Sequence, residues 1–151
     1  MEPNFAETLI AKMPDALIHA DTMGVIRVWN DGAVRMFGHT AAEAVGQSLD
    51  LIIPAGLRDR HWTGYHETMR TGRTRYGEGQ TLSVPALRKD GTRLSVAFTI
   101  VPFLDAAGAM TGIAAIMRDV TSQFEETRAM RQEIAALRKK AASGVTSSSA
   151  A

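Results

Sequence analysis

Residues 92–103, Thr-Arg-Leu-Ser-Val-Ala-Phe-Thr-Ile-Val-Pro-Phe, decide the fold. Leu94, Val96, Phe98 and Ile100 recur at every second position, with Ser95, Ala97 and Thr99 between them. A period of two is that of a β-strand with one buried face, as in an antiparallel sheet. On either side lie turn signals, Lys89-Asp90-Gly91 before the run and Asp105-Ala106-Ala107-Gly108 after it. Beyond the turns, further β-rich stretches fall near 74–87 and at 110–120 (MTGIAAIMRDV). Three consecutive antiparallel strands follow from that spacing.

Toward the N-terminus the pattern becomes helical. Residues 56–71 (GLRDRHWTGYHETMRT) predict a helix ended by Gly72, with Gly64 the weak point in its interior. LDLIIP before it reads as a buried apolar link. Two short helices are expected within 30–49. Asn30 or Asp31 caps the first, which stops at Gly38, and Thr40 with Glu43 forms a capping box opening the second, which stops at Gly46. ALIHA and VIRVWN, separated by DTMG, predict a hairpin. Residues 4–12 predict a short helix with Phe5 and Leu9 on one side, ended by Pro14.

From Thr121 the apolar spacing changes again. Ser122 and Glu125 read as a capping box, and Phe124, Thr127, Met130 or Arg131, Ile134, Leu137 and Ala141 follow at three- and four-residue steps. The Ser/Gly/Ala-rich end, residues 143–151, is expected to be disordered.

Composition narrows the function classes. Seventeen basic residues against sixteen acidic give a formal charge of +1 over 151 residues, which is not the strongly positive field that nucleic-acid binding uses. The chain has no cysteine, so disulfides, zinc ribbons and thiol nucleophiles are excluded. The start lacks a basic stretch followed by an apolar one, and no apolar run is long enough to span a bilayer. A cytoplasmic protein without membrane association is the expectation. No nucleophile motif, phosphate-cradling glycine loop or convincing carboxylate pair is present, so no enzymatic activity is expected.

Several short stretches then carry a resemblance. Met13-Pro14-Asp15-Ala16-Leu17-Ile18, Gly24-Val25-Ile26-Arg27-Val28-Trp29-Asn30, Met36-Phe37-Gly38, Glu43-Ala44-Val45-Gly46, Arg88-Lys89-Asp90-Gly91 and Arg118-Asp119-Val120-Thr121 stand in the order and spacing of PAS sensor domains. The chain resembles that family over about residues 10–122. The resemblance implies an α+β PAS fold: a five-stranded antiparallel sheet with helices on one face, an N-terminal cap helix and a C-terminal coiled-coil helix. It divides the chain into a cap helix (1–12), the PAS domain (13–121), a signalling helix (122–142) and the tail (143–151). It further implies a ligand cavity between helices and sheet, a homodimer, and an effector supplied by a separate protein or by a fused domain outside these residues.

The segment Arg60-His61-Trp62-Thr63-Gly64-Tyr65, running on to Thr71-Gly72, resembles the haem-binding helix of FixL-type oxygen sensors and RcoM-type carbon monoxide regulators. The resemblance sets His61 at the place of the proximal haem ligand, with haem b as the cofactor and a diatomic gas (O2, CO or NO) or a redox change as the signal. Imidazole is a standard axial ligand to haem iron. Leu57, His61 and Tyr65 share one helix face at four-residue spacing, so His61 can face the cavity. His66 lies about 140° around the helix and cannot reach the same iron. The pocket is expected to be lined by His61, Tyr65, Leu82, Val84, Phe98, Ile100, Ile113, Ala115 and Met117, with His61 the metal ligand. Arg58, Arg60, Arg70, Arg73 and Arg75 are either a propionate clamp or an ordinary solvated helix face.

Departures from the family pattern also matter. The strand arginine of FixL-type domains falls here near Thr81 or Leu82, and an RcoM-like distal methionine is not clearly matched by Met110 or Met117. Flavin ranks behind haem, because the photochemical flavin domains of this family use a cysteine. The alternative function is a cofactor-free PAS module that dimerises or binds a small ligand.

Overall fold

The computed structural model describes residues 2–73 and 82–149. The chain divides into two units, Met1–Asp119 and Val120–Ala151. In the first unit the order is helix α1 (Phe5–Lys12), strands β1 (Ala16–Asp21) and β2 (Ile26–Trp29), helices α2 (Asp31–Phe37), α3 (Ala41–Ala44) and α4 (Arg58–Thr71), then strands β3 (Leu82–Leu87), β4 (Arg93–Leu104) and β5 (Met110–Asp119). The five strands form one sheet in the order β2-β1-β5-β4-β3, every pairing antiparallel. The α+β PAS architecture expected from the sequence is the one observed.

Alternation in β4 does what its period requires. Leu94 and Val96 are buried on the helix-bearing face, together with Ala16, Ile18 and Ala20 of β1 and Ala86 of β3. Phe37 of α2, Ala44 of α3, Leu49 and Ile52 of a 3-10 turn, and Tyr65 of α4 pack onto them as one core. Burial of this apolar surface is the main stabilising term.

Asn30 organises the N-terminal half. Its Oδ1 accepts from Ala33 N at 2.9 Å, capping α2, and from Leu17 N at 2.8 Å. Its Nδ2 donates to the carbonyls of Ile10 (2.9 Å) and Asp15 (3.0 Å). One buried side chain with all its polar atoms satisfied thus ties α1, β1 and α2 together. Gly32 completes the joint: a Cβ there would stand 2.2 Å from the Asp15 carbonyl oxygen.

Some sequence expectations are adjusted. The expected strand at 74–87 is observed as β3 from Leu82, and residues 74–81 lie outside the described residues. The Thr40–Glu43 capping box is present, with Thr40 Oγ1 accepting from Glu43 N at 3.1 Å.

The second unit is helix α5, Thr121–Ser149. Its first turn starts two residues earlier than a Ser122 cap allows, since Phe124 N donates to Val120 O at 2.8 Å. It also continues where the sequence reading ended it at Ala142 and expected a disordered tail. No proline interrupts residues 143–149, so no backbone group blocks the continuation, although Ser, Gly, Val and Thr all favour helix less than alanine.

Candidate functional site

Two contacts seat α4 on the β1–β2 turn. The Tyr65 hydroxyl donates to the main-chain carbonyl of Asp21. One turn earlier, the six-membered ring of Trp62 lies against Gly24, where a Cβ would stand 2.1 Å from Cη2. Gly24 also has φ of +76°, a conformation that side chains rarely adopt. The turn itself is held by Asp21, whose Oδ1 accepts from Met23 N (2.9 Å) and Val25 N (3.1 Å) and whose Oδ2 accepts from Arg27 Nε (2.8 Å).

His61 is half-buried on this helix. Its Nδ1 is fully buried and has no hydrogen-bond partner among the described residues. Burial pushes the imidazole below its ordinary pKa, the Asp50 charge opposes that shift, and His66 adds to it. A neutral ring is the state a metal ligand requires. The ring stands edge to face against Trp62, centroids 4.8 Å apart, and tilted against Tyr65 at 5.7 Å.

The sheet side of the site follows from register, because partners across an antiparallel pair share a face. Ala115 pairs with both Ile18 and Ile100, Met117 with Ala16 and Phe98, and Ile113 with Ala20. Leu82 pairs with Phe98, and Val84 with Val96. The predicted strand positions therefore lie at one face of the sheet, the one on which Ile18 and Val96 are buried. Coverage along it is uneven. Ile113 is buried, whereas Val84, Phe98, Ile100, Ala115 and Met117 are only partly so.

Tyr65 is 4% exposed and its hydroxyl is engaged by Asp21, so it acts as core and anchor of α4. Burial, with the Asp21 charge, pushes its phenol well above the ordinary value. Among the arginines, Arg58 donates to the carbonyls of Ile53 (3.1 Å) and Asp50 (3.3 Å), and Arg70 pairs with Glu67 at 2.7 Å. Arg60 and Arg73 are exposed, and Arg75 lies outside the described residues. Of the strand methionines, Met110 is buried and Met117 half-buried. His66 is exposed, stacked on Trp62 at 5.8 Å.

Sequence reasoning passed over Trp62 and Asp50. The indole Nε1 donates to Asp50 Oδ1 at 2.8 Å, joining α4 to the 3-10 turn Leu49–Ile52. Spacing along the chain carries no signal for that contact. The only hint was a large aromatic directly after His61.

Comparison with known proteins places this geometry. The sequence profile described as PAS fold matches residues 10–125. The sensor protein FixL of Bradyrhizobium diazoefficiens is 29% identical over 127 residues, covering 84% of this chain and 24% of that protein. The oxygen sensor protein DosP of Escherichia coli K12 is 25% identical over 112 residues, covering 74% of this chain and 14% of that protein. The chain thus spans a quarter or less of the length of these curated relatives. Among solved structures, an RNA-binding Light-Oxygen-Voltage receptor superposes with a TM-score of 0.71 at 19% identity, over 88% of this chain and 37% of that one. At that identity the likeness shows the fold alone. With its strand order, its helices on one face and its matched profile, this chain belongs to the PAS family of sensor domains.

Proposed function

We propose that this PAS domain is a haem-based sensor, holding b-type haem between α4 and the sheet with His61 as the iron ligand. The observation that carries the reading is the His61 imidazole, half-buried on α4 and pushed by that burial toward its neutral form. Among the described residues no group of three His, Asp or Glu side chains converges to hold a bare ion. Iron in a porphyrin brings four ligands of its own and needs only an axial one from the protein, the role assigned to His61. Phe98, Ile100, Ala115 and Met117 would provide the apolar wall, and the small side chain of Ala115 leaves room there. When bound, haem supplies an iron centre that takes a diatomic gas (O2, CO or NO) and changes redox state.

The protein's own part is to bind, orient and report. A depressed imidazole pKa keeps His61 neutral near pH 7, so ligation does not compete with a proton. Apolar walls keep water from the site. In this reading the module acts by binding, not by catalysis, and ligand binding shifts a population of states that α5 passes to an effector. Met130, Ile134 and Leu137 of α5 are 62%, 47% and 59% exposed in the single chain, a row that a second copy covers in a parallel homodimer. No described helix is long and apolar enough to cross a membrane.

One observation favours the cofactor-free alternative. Tyr65, counted among the pocket residues, is spent on holding α4 to the β1–β2 turn, as suits a domain that only packs and dimerises. Titrating purified protein with haem separates the two readings. A saturable, stoichiometric Soret band is expected, and its absence would leave the cofactor-free module.

A further inference from the structure

A histidine that ligates a metal is ordinarily held by a hydrogen bond from its second ring nitrogen, which fixes both tautomer and ring plane. His61 has no such bond at Nδ1 among the described residues. Something else has to set the plane of its ring, and the contacts of the next residue supply it.

The Trp62 indole is restrained on several sides. Its Nε1 donates to Asp50 Oδ1 at 2.8 Å. Asp50 is fixed in turn: its N–H donates to Ser48 Oγ at 3.1 Å, Arg58 Nη2 donates to its carbonyl at 3.3 Å, and Arg58 Nε stands 3.9 Å from Oδ1. The far edge of the indole sits on the Gly24 backbone, with no room for even a methyl group. Tyr65 packs at 5.4 Å and His66 stacks at 5.8 Å. A ring held this way is a rigid wall, and His61 meets it at 4.8 Å with an interplanar angle of 76°. Rotation of the imidazole about χ2 would break this edge-to-face contact.

We propose that Trp62 is a positioning residue for His61: clamped between the Asp50 carboxylate and the Gly24 backbone, its indole fixes the plane of the imidazole. The proposal rests on the reading of His61 as a ligand. It differs from a packing role in what it controls. A filler side chain would affect stability alone, whereas a positioning ring alters how His61 presents its nitrogen.

The test uses the whole chain with Asp50→Ala, Asp50→Asn, Trp62→Phe and Gly24→Ala. In haem-loaded protein, Asp50→Ala, Trp62→Phe and Gly24→Ala are expected to weaken haem retention by about 10- to 100-fold, the range for partners that orient a ligand. They should also shift the iron–histidine vibration, while Asp50→Asn, which keeps an acceptor oxygen, stays near wild type. A lowered melting temperature with unchanged vibration and retention would reduce Trp62 to packing and overturn the proposal. The second readout needs no haem: the ring signals of His61 in the apoprotein by NMR, well above the imidazole's titration range. Asp50→Ala is expected to shift or broaden them, with Asp50→Asn and the His39 signals unaffected. If wild-type protein takes up no haem, the functional reading fails, and these apoprotein signals still decide whether Trp62 sets the His61 ring. Unchanged His61 signals in Asp50→Ala would contradict it.

Discussion

The Tyr65 hydroxyl reaches across from α4 to the carbonyl of Asp21, 44 residues earlier in the chain. This bond joins the helix that carries His61 to the turn between β1 and β2. Removing it by Tyr65→Phe leaves the half-buried Asp21 carbonyl with the Gly24 N–H at 2.9 Å but without the phenol, while keeping the ring in the core. The expected cost is about 1 kcal/mol of stability, read by urea denaturation. Haem retention should not change beyond that, because the hydroxyl faces the turn and not His61. A lost Soret band in a folded Tyr65→Phe protein would show that the hydroxyl serves the haem site.

Asp21 gives the same turn a pH dependence. Burial pushes its carboxyl up, but the Val25 N–H, the Arg27 guanidinium and the Met23 N–H together hold it below the ordinary value of 3.8. A group whose folded pKa is depressed stabilises the fold above its unfolded pKa, and the contribution is lost as pH falls through the folded value. Stability should therefore drop below about pH 3.8, with Asp21→Asn showing a smaller acid loss. Urea midpoints taken at stepped pH test this. Equal acid slopes in the two proteins would contradict it.

Ala115 lies between Ile18 and Ile100 in register, at the partly covered middle of the helix-bearing face. Ala115→Phe should fill that space, lowering haem retention or changing ligand access while the protein stays folded. Haem titration followed by carbon monoxide binding measures both. Wild-type values for each would remove Ala115 from the wall.

Leu137 and Ile134 stand on the exposed apolar row of α5. Replacing both by Lys should turn a dimer into a monomer, because charges in the seam of a coiled coil are unpaired and desolvated. Light scattering at high protein concentration reads the mass. A wild-type monomer, or a double variant that still dimerises, would count against a dimer built on α5.

Much of this was legible in the chain. The alternation of Leu94, Val96, Phe98 and Ile100 set the sheet face, and the turns set the neighbours β1–β2, β3–β4 and β4–β5, but the β1–β5 pairing that closes the sheet order leaves no mark on any turn. Asn30 could be read as a cap for α2, but not as the tie between Ile10, Asp15 and Leu17, which depends on three segments meeting. Tyr65 was placed in the pocket from helical spacing, and its hydroxyl partner 44 residues away was invisible to that period. Trp62, Asp50 and Gly24 form one contact from three separate elements, where local patterns are silent. Helix α5 runs past Ala142 through Ser143-Gly144-Val145-Thr146-Ser147-Ser148-Ser149, a stretch without alanine whose composition gives no helix signal.

The most direct measurement is the Soret absorption of three proteins reconstituted with haem: wild type, His61→Ala and His66→Ala. The account predicts a full band for wild type, a lost or greatly weakened band for His61→Ala with the fold intact by circular dichroism, and a nearly unchanged band for His66→Ala. A wild-type spectrum retained by His61→Ala, above all with loss in His66→Ala, would contradict the assignment of His61 as the ligand.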